Sequence, residues 1–210
     1  SSKMLSAVQR DKLLKIMYQT IEDLKESFEE PHIRIAIFRG DSFQILTKEA
    51  FQSIVFAVMF RACLIANSTK EIRWDARLGI GIGEGEYLVD RVSESDGEAF
   101  HLSGKAFDNL GKGQSMSVLT PDKDFNLELK VSTAFADDII SNWTSAQANI
   151  FYQLRMNSNI TQKQLATTMD ITPQAISKLR ITSKEHLMEH YLMRSISKTA
   201  FLMAQKNNQP

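Results

Sequence analysis

The stretch that most constrains this chain is residues 160–181, ITQKQLATTMDITPQAISKLRI, because it holds two helix starts only eleven residues apart. Thr161 is placed to cap a first helix, with Gln164 completing a capping box, and Thr172 followed by Pro173 marks the second start. That leaves room for one short helix and one tight turn. Leu165, Met169, Ile171, Ile176 and Leu179 fall where two helices and their turn would bury side chains together, and Ala166 is small where the helices would cross. Asp170 takes the turn position, where glycine is frequent; Asp enters the left-handed region more readily than most residues. This is a helix-turn-helix pattern. Its second helix turns Thr172, Gln174, Ser177, Lys178 and Arg180 outward, residue types that hydrogen-bond base edges and phosphates in a major groove. Double-stranded DNA is therefore the expected partner, against the alternative of a helical hairpin used only for packing.

Charge distribution agrees with that expectation. Net charge is zero, yet residues 145–210 hold 8 Lys and Arg against 3 Asp and Glu, while residues 1–144 hold 17 against 22. A basic end supplies sequence-independent attraction to phosphate, and an acidic remainder discourages the rest of the chain from lying on DNA. The 210 residues suit one large or two small domains, and 43% hydrophobic content suffices for ordinary cores. No apolar run reaches membrane-spanning length, and the amino terminus lacks the pattern of a secretory leader. The single cysteine, Cys63, lies in an apolar helical run and excludes a disulfide scaffold. A soluble, cytoplasmic protein without membrane association is expected.

In chain order, Leu14, Met17, Ile21, Leu24 and Phe28 recur at helical spacing and predict a long amphipathic helix over 4–28. Residues 33–38 and 43–46 predict a hairpin around the turn chemistry of Arg39-Gly40-Asp41-Ser42. A largely buried helix is expected from a Thr47 cap to about Ala66. Leu78, Ile80 and Ile82 then alternate with Gly79, Gly81 and Gly83, a strand whose bare face lets another backbone or a ligand come close. A polar loop over 84–96, a helix over 97–110 stopped by Gly111, and strands over 115–119 and 127–131 follow. From Ala134 onward only helices are expected: one from Asp137 to about Met156, the helix-turn-helix, and a last helix over 184–205. That last helix either packs within its own domain or pairs two subunits as a homodimer. The boundary is set near 135, giving domains 1–135 and 136–210.

Two local patterns are set aside. The G-x-G-x-G run does not open a helix after a strand, as a dinucleotide fingerprint would. His186, Glu189 and His190 match the H-x-x-E-H spacing of inverted zinc peptidases, but no Asp, Glu, His or Cys follows to supply a third ligand. No metal or cofactor is assigned.

The order helix, hairpin, helix, strand, helix, strands resembles the palm-like domain of class III nucleotide cyclases, taken up after its first strand. More closely, the whole chain resembles the SatD family of bacterial proteins, through Gly40-Asp41-Ser42-Phe43-Gln44, the Leu78 to Gly83 strand, Asp96-Gly97-Glu98-Ala99-Phe100 and Gln174-Ala175-Ile176-Ser177-Lys178. The resemblance implies an α+β fold: a palm or ferredoxin-like sheet domain with helices, followed by an all-α helix-turn-helix domain. It also implies a sheet that lacks its first strand, because the chain opens at Ser1 directly on a helix. Two buried strand edges would then go unpaired. In cyclases, acidic residues on the first strand and in the hairpin hold two metal ions; Asp41 occupies the hairpin position, and plain turn chemistry accounts for it equally well. His101 and Lys105 stand where cyclases place Asn and Arg, so no catalytic residue is assigned. Asp41, His101 and Lys105 remain the expected ligand-binding residues for a small-molecule or nucleotide effector. The reading is a DNA-binding regulator with a sensing or dimerising first domain, with a nucleotide-binding enzyme as the alternative.

Overall fold

Twelve consecutive residues, Ile54 to Ile65, are buried in a single helix, α2 (Ser53–Ala66). A helix apolar around its whole circumference is stable only inside a core, and the rest of the chain wraps this one. The computed structural model describes residues 5–29, 32–38, 42–85 and 97–207. No helix among them is long and apolar enough to cross a membrane.

Helix α1 (Ala7–Ser27) starts at Ser6, whose hydroxyl accepts from the Gln9 amide while the Gln9 side chain accepts from the Ser6 amide. It lays Met17, Ile21 and Leu24 against α2. Strands β1 (Arg34–Ile37) and β2 (Phe43–Leu46) pair antiparallel, Arg34 opposite Leu46 and Ile37 opposite Phe43. The expected hairpin is present; its turn, Arg39, Gly40 and Asp41, lies outside the described residues. Thr47 does not cap α2. Its hydroxyl accepts from the Glu49 amide, and a 3-10 turn, Ala50–Gln52, leads into the helix.

Strand β3 (Leu78–Gly81) and strand β4 (Met116–Leu119) pair parallel, with α3 (Glu98–Asp108) crossing between them. The glycines of β3 serve helix packing. A Cβ on Gly79 would collide with the backbone of Ser103 and Phe107, and one on Gly81 with the backbone of Ala99 and Ser103. The strands therefore form two separate two-stranded sheets, β1–β2 and β3–β4.

The expected strand over 127–131 is a correction: these residues belong to α4 (Lys123–Ser141), capped by Asp122, which accepts from the Phe125 amide at 2.6 Å. The alternation of Leu127, Glu128, Leu129, Lys130 and Val131 mimics a strand, but burial follows a helical spacing through Phe125, Leu129, Thr133, Ala136, Asp137 and Ile140. Leu127 and Val131 are 68% and 59% exposed. Nor does one helix run from Asp137 to Met156. The helix is interrupted at Asn142–Thr144, and α5 (Ser145–Met156) begins with a Thr144–Gln147 capping box. Helices α6 (Gln162–Thr168), α7 (Pro173–Thr182) and α8 (Glu185–Asn207) complete the order. The fold is mixed α+β.

One apolar core runs from α1 through α2, β3, β4, α4 and α5 to Met188, Tyr191 and Leu192 of α8. Residue 135 lies inside α4, and α8 packs on α4 and α2 of its own chain, with the Tyr191 hydroxyl 2.9 Å from that of Thr133. At the centre, Arg61 is 0% exposed. Its Nε and Nη2 donate to Asp75 at 2.8 and 2.9 Å, Nη1 donates to Asp137 at 2.6 Å, and Nη2 also reaches Ser141 Oγ at 3.0 Å. The second oxygen of Asp137 accepts from the Ser115 and Met116 amides at 2.7 and 3.1 Å. Burial opposes the Arg61 charge, but bonds and attraction from Asp75 and Asp137 outweigh it, and the guanidinium pKa is raised.

Removing one member of such a cluster leaves an uncompensated buried charge, a loss of about 3–5 kcal/mol. Arg61→Leu should therefore lower the urea midpoint by that equivalent. Arg61→Lys should recover only part of it, because an ammonium cannot bridge Asp75 and Asp137 as the guanidinium fork does. An Arg61→Leu midpoint within experimental error of wild type would contradict this account.

Candidate nucleic-acid interface

Helices α6 and α7 carry a small core of their own: Leu165, Ala166 and Ile176 are buried with Ile150 of α5, and Leu154, Ile160, Met169, Ile171 and Leu179 pack around them. Local chemistry fixes both helix ends. The Thr161 hydroxyl accepts from the Gln164 amide at 3.2 Å while Gln164 Oε1 accepts from the Thr161 amide at 2.9 Å. Helix α6 ends on Met169. Asp170 then adopts φ 52°, the Ile171 amide donates to the Ala166 carbonyl at 3.0 Å, and the Asp170 amide donates to Thr167 at 3.3 Å. This is a Schellman closure with Asp where glycine is commonest. Two residues later the Thr172 hydroxyl accepts from the Ala175 amide at 3.2 Å, and Pro173 occupies the first turn of α7, where a missing N–H costs nothing.

With α7 anchored through Ile176, its outward face carries Gln174 and Lys178, both exposed, and half-buried Ser177. Thr172 is exposed at the amino end, its hydroxyl engaged in the cap. These four share the outward side of α7. Arg180 departs from it: Nε and Nη2 donate to Glu185 of α8 at 2.6 and 3.0 Å, across a turn in which Lys184 has φ 56°. The Glu185 hydrogen bond, outweighing the cost of burial, raises the Arg180 pKa. To meet a phosphate, Arg180 must exchange this carboxylate for the ligand.

Sequence reasoning missed Ile181, which is 71% exposed one turn beyond Ser177 on the outward face of α7. An apolar side chain between polar neighbours suits contact with a thymine methyl group. Its signal was available only as spacing, seven residues after Gln174, without a way to tell which face α8 would cover. Lys163 of α6 and Lys184 are exposed nearby. His186 and His190 are exposed on α8, and the intervening Glu189 is engaged by Arg155 at 2.7 Å.

The expected ligand residues lie elsewhere. Asp41 falls outside the described residues. His101 and Lys105 are exposed on α3. A groove of about 430 Å³ runs between β2 and β3 and is lined on the α3 side by Ala99, Phe100, Ser103, Gly104 and Phe107; His101 and Lys105 are not part of its wall.

A family model described as the SatD family matches residues 1–200. The chain belongs to the SatD family. No curated protein and no solved structure matches it. In this SatD-family chain the matched span covers the two sheets, α1 to α7 and most of α8, so the α6–α7 pair is part of what the family model describes.

The turn chemistry makes a local prediction. A β-branched side chain in the left-handed region is strained, so Asp170→Val should cost about 1–2 kcal/mol. Asp170→Gly should be neutral or stabilising. Thr172→Ala should cost about 1 kcal/mol through loss of the cap. Chemical denaturation of the three variants checks all of these, and Asp170→Val as stable as wild type would refute the turn argument.

Proposed function

We propose that this protein is a DNA-binding transcriptional regulator in which α6 and α7 form a helix-turn-helix and α7 is the recognition helix. The observation that carries the reading is the outward face of α7. A short helix fixed at its amino end by a threonine cap, supported by its own small core, presents Gln174, Ser177, Lys178 and Ile181 together at the basic end of the chain. Recognition helices use residues near their amino ends to reach base edges, and the first helix of the pair lies across the backbone. Lys163 at the start of α6 and Lys178 are suited to phosphate, Gln174 to adenine N6 and N7, and Ile181 to a thymine methyl.

The first part of the chain takes a sensing or dimerising role in this reading. The order of α1, a hairpin, α2, β3, α3 and β4 supports likeness to a palm-like domain. The groove between its sheets is the natural place for a regulator of DNA binding to act.

The test is affinity for a site selected from random duplexes and for a scrambled duplex, at several salt concentrations. Wild-type protein should bind the selected site more tightly, with log affinity falling linearly against log salt. Gln174→Ala should lose about 1–3 kcal/mol of discrimination at one base pair. Lys178→Ala should weaken both duplexes alike and reduce the salt slope by about one. Glu185→Gln, by releasing Arg180, should tighten binding to both. Protein that binds neither duplex but turns over ATP or GTP with Mg²⁺ would overturn the proposal and move function to the first half of the chain.

A further inference from the structure

Helix α4 buries one side and leaves the other bare. Phe125, Leu129, Thr133, Ala136 and Ile140 face inward, whereas Leu127, Val131 and Phe135 are each more than half exposed. These three recur every four residues, so they stand one above another as a single apolar ridge. Beside the ridge runs a groove of about 380 Å³ between α4 and α8, with Phe135, Leu187, Met188 and Tyr191 in its wall. Leu187 is nearly half exposed and extends the apolar surface onto α8. A contiguous apolar surface rimmed by charge marks an interaction site.

The charges at the two ends of the ridge say what fits it. Lys123 and Asp124 stand at its amino end; Asp138 stands at its carboxyl end, with Lys184 of α8 in the same groove wall as Asp138. All four are exposed, and among the described residues none of them is in an ion pair. Two neighbouring cations are already engaged. Arg194 donates to Glu128 at 2.7 and 3.0 Å, and Lys198 lies 6.0 and 5.8 Å from the ring centres of Phe125 and Phe201. Lys130 is about 100° round the helix from Val131 and stays on the rim.

Val131 is the midpoint of this pattern. Leu127 and Phe135 lie four residues to either side of it, and Asp124 and Asp138 lie seven. A two-fold axis at Val131, perpendicular to α4, sets two copies of the helix antiparallel, with Leu127 of each copy against Phe135 of the other. The amino end of one ridge then meets the carboxyl end of the other, which brings Lys123 beside Asp138 and Asp124 beside Lys184 of the second copy. Asp138 also arrives at the positive end of the other α4, where a carboxylate is favoured. A parallel pair would instead set Lys123 against Lys123 and Asp138 against Asp138. An isologous contact needs a surface complementary to itself, and the antiparallel arrangement of this ridge meets that condition.

We propose that the exposed ridge of α4, with the adjoining flank of α8, is the surface through which two copies of this chain pair, antiparallel about Val131. The ridge from Lys123 to Asp138 is about 22 Å long. That is small for a stable interface, so association in the micromolar range is expected. Helix α8 serves its own chain with its buried face and the second copy with its edge. This inference stands on α4 and α8 and is independent of whether α7 reads DNA.

The test is sedimentation equilibrium of the full chain, without DNA, over concentrations reaching well above micromolar. The mean mass should rise from that of a monomer to that of a dimer. Val131→Glu sets two carboxylates against each other at the axis and should weaken dimerisation at least about tenfold. Asp138→Lys meets Lys123 of the other copy and should weaken it several-fold. Combining Lys123→Asp with Asp138→Lys recreates both pairs with their signs exchanged and should restore wild-type association, which a nonspecific effect of charge would not do. All three positions are exposed, so the variants should keep the wild-type urea midpoint; if Val131→Glu misfolds, the charge exchange still decides. Monomer at every concentration would leave the ridge to a different polypeptide and overturn the proposal. A dimer that Val131→Glu leaves intact would use another face and overturn it too, as would a double variant that associates no more tightly than Asp138→Lys alone.

Discussion

The structure depends on a cation with no access to solvent. Arg61 sits on a helix whose other neighbouring positions are apolar, and it is stable there because four of its N–H groups meet Asp75, Asp137 and Ser141. Charge-assisted bonds of this kind offset the desolvation that a buried ion suffers, provided each donor is satisfied. The consequence is architectural. Asp75 lies on the segment entering β3, Asp137 and Ser141 belong to α4, and Asp137 also holds the amides at the start of β4. One guanidinium therefore sets the relation of α2, α4 and the β3–β4 sheet, which apolar packing alone would leave free to slide.

The same neighbourhood fixes where the helical end begins. Arg73, two residues before Asp75, donates to the Ser141 and Trp143 carbonyls at 2.8 Å each, satisfying groups left open where α4 stops. Trp143 then stacks on Phe151 with ring centroids 4.8 Å apart. Thr144 can restart the chain as α5 because the preceding end is tied down.

Local signals with a mechanism of their own were legible in the chain. The Thr161 and Thr172 starts and the left-handed Asp170 follow from hydrogen bonds within a few residues, so neighbours elsewhere hardly alter them. Leu127 to Val131 was misread because two-residue alternation there is produced by solvent-facing Leu127 and Val131, which a single sequence does not distinguish from core residues. The Asp122 cap and the Phe125, Leu129, Ala136, Ile140 series were the better guide. The α4–α5 break had a signal as well, the Thr144–Gln147 capping box. On α7, the outward placement of Gln174, Ser177 and Lys178 was readable from the position of the cap. The pairing of Arg180 with Glu185 was not, since Glu185 reaches it only after the turn at Lys184. The glycines of β3 were readable as a close approach, but that the visitor is the backbone of α3 depended on tertiary structure.

How firmly α7 is held to the remainder of the molecule bears on any regulatory reading. Its own core is small, four fully buried side chains, and would alone permit the α6–α7 pair to rock on α5. Two bonds oppose that motion. The Trp143 indole donates to the Ser183 carbonyl at 2.8 Å, tying the α4–α5 joint to the end of α7, and Arg180 is tied to Glu185 at the start of α8. Trp143 is itself placed by the α4 terminus that Arg73 and Ser141 define, so the end of α7 is connected through continuous packed contacts to Arg61 and the β3–β4 sheet. The end of α7 is thus held by a few hydrogen bonds whose geometry depends on the same α4 terminus, so a shift of that terminus would reach the helix that carries Gln174 and Lys178.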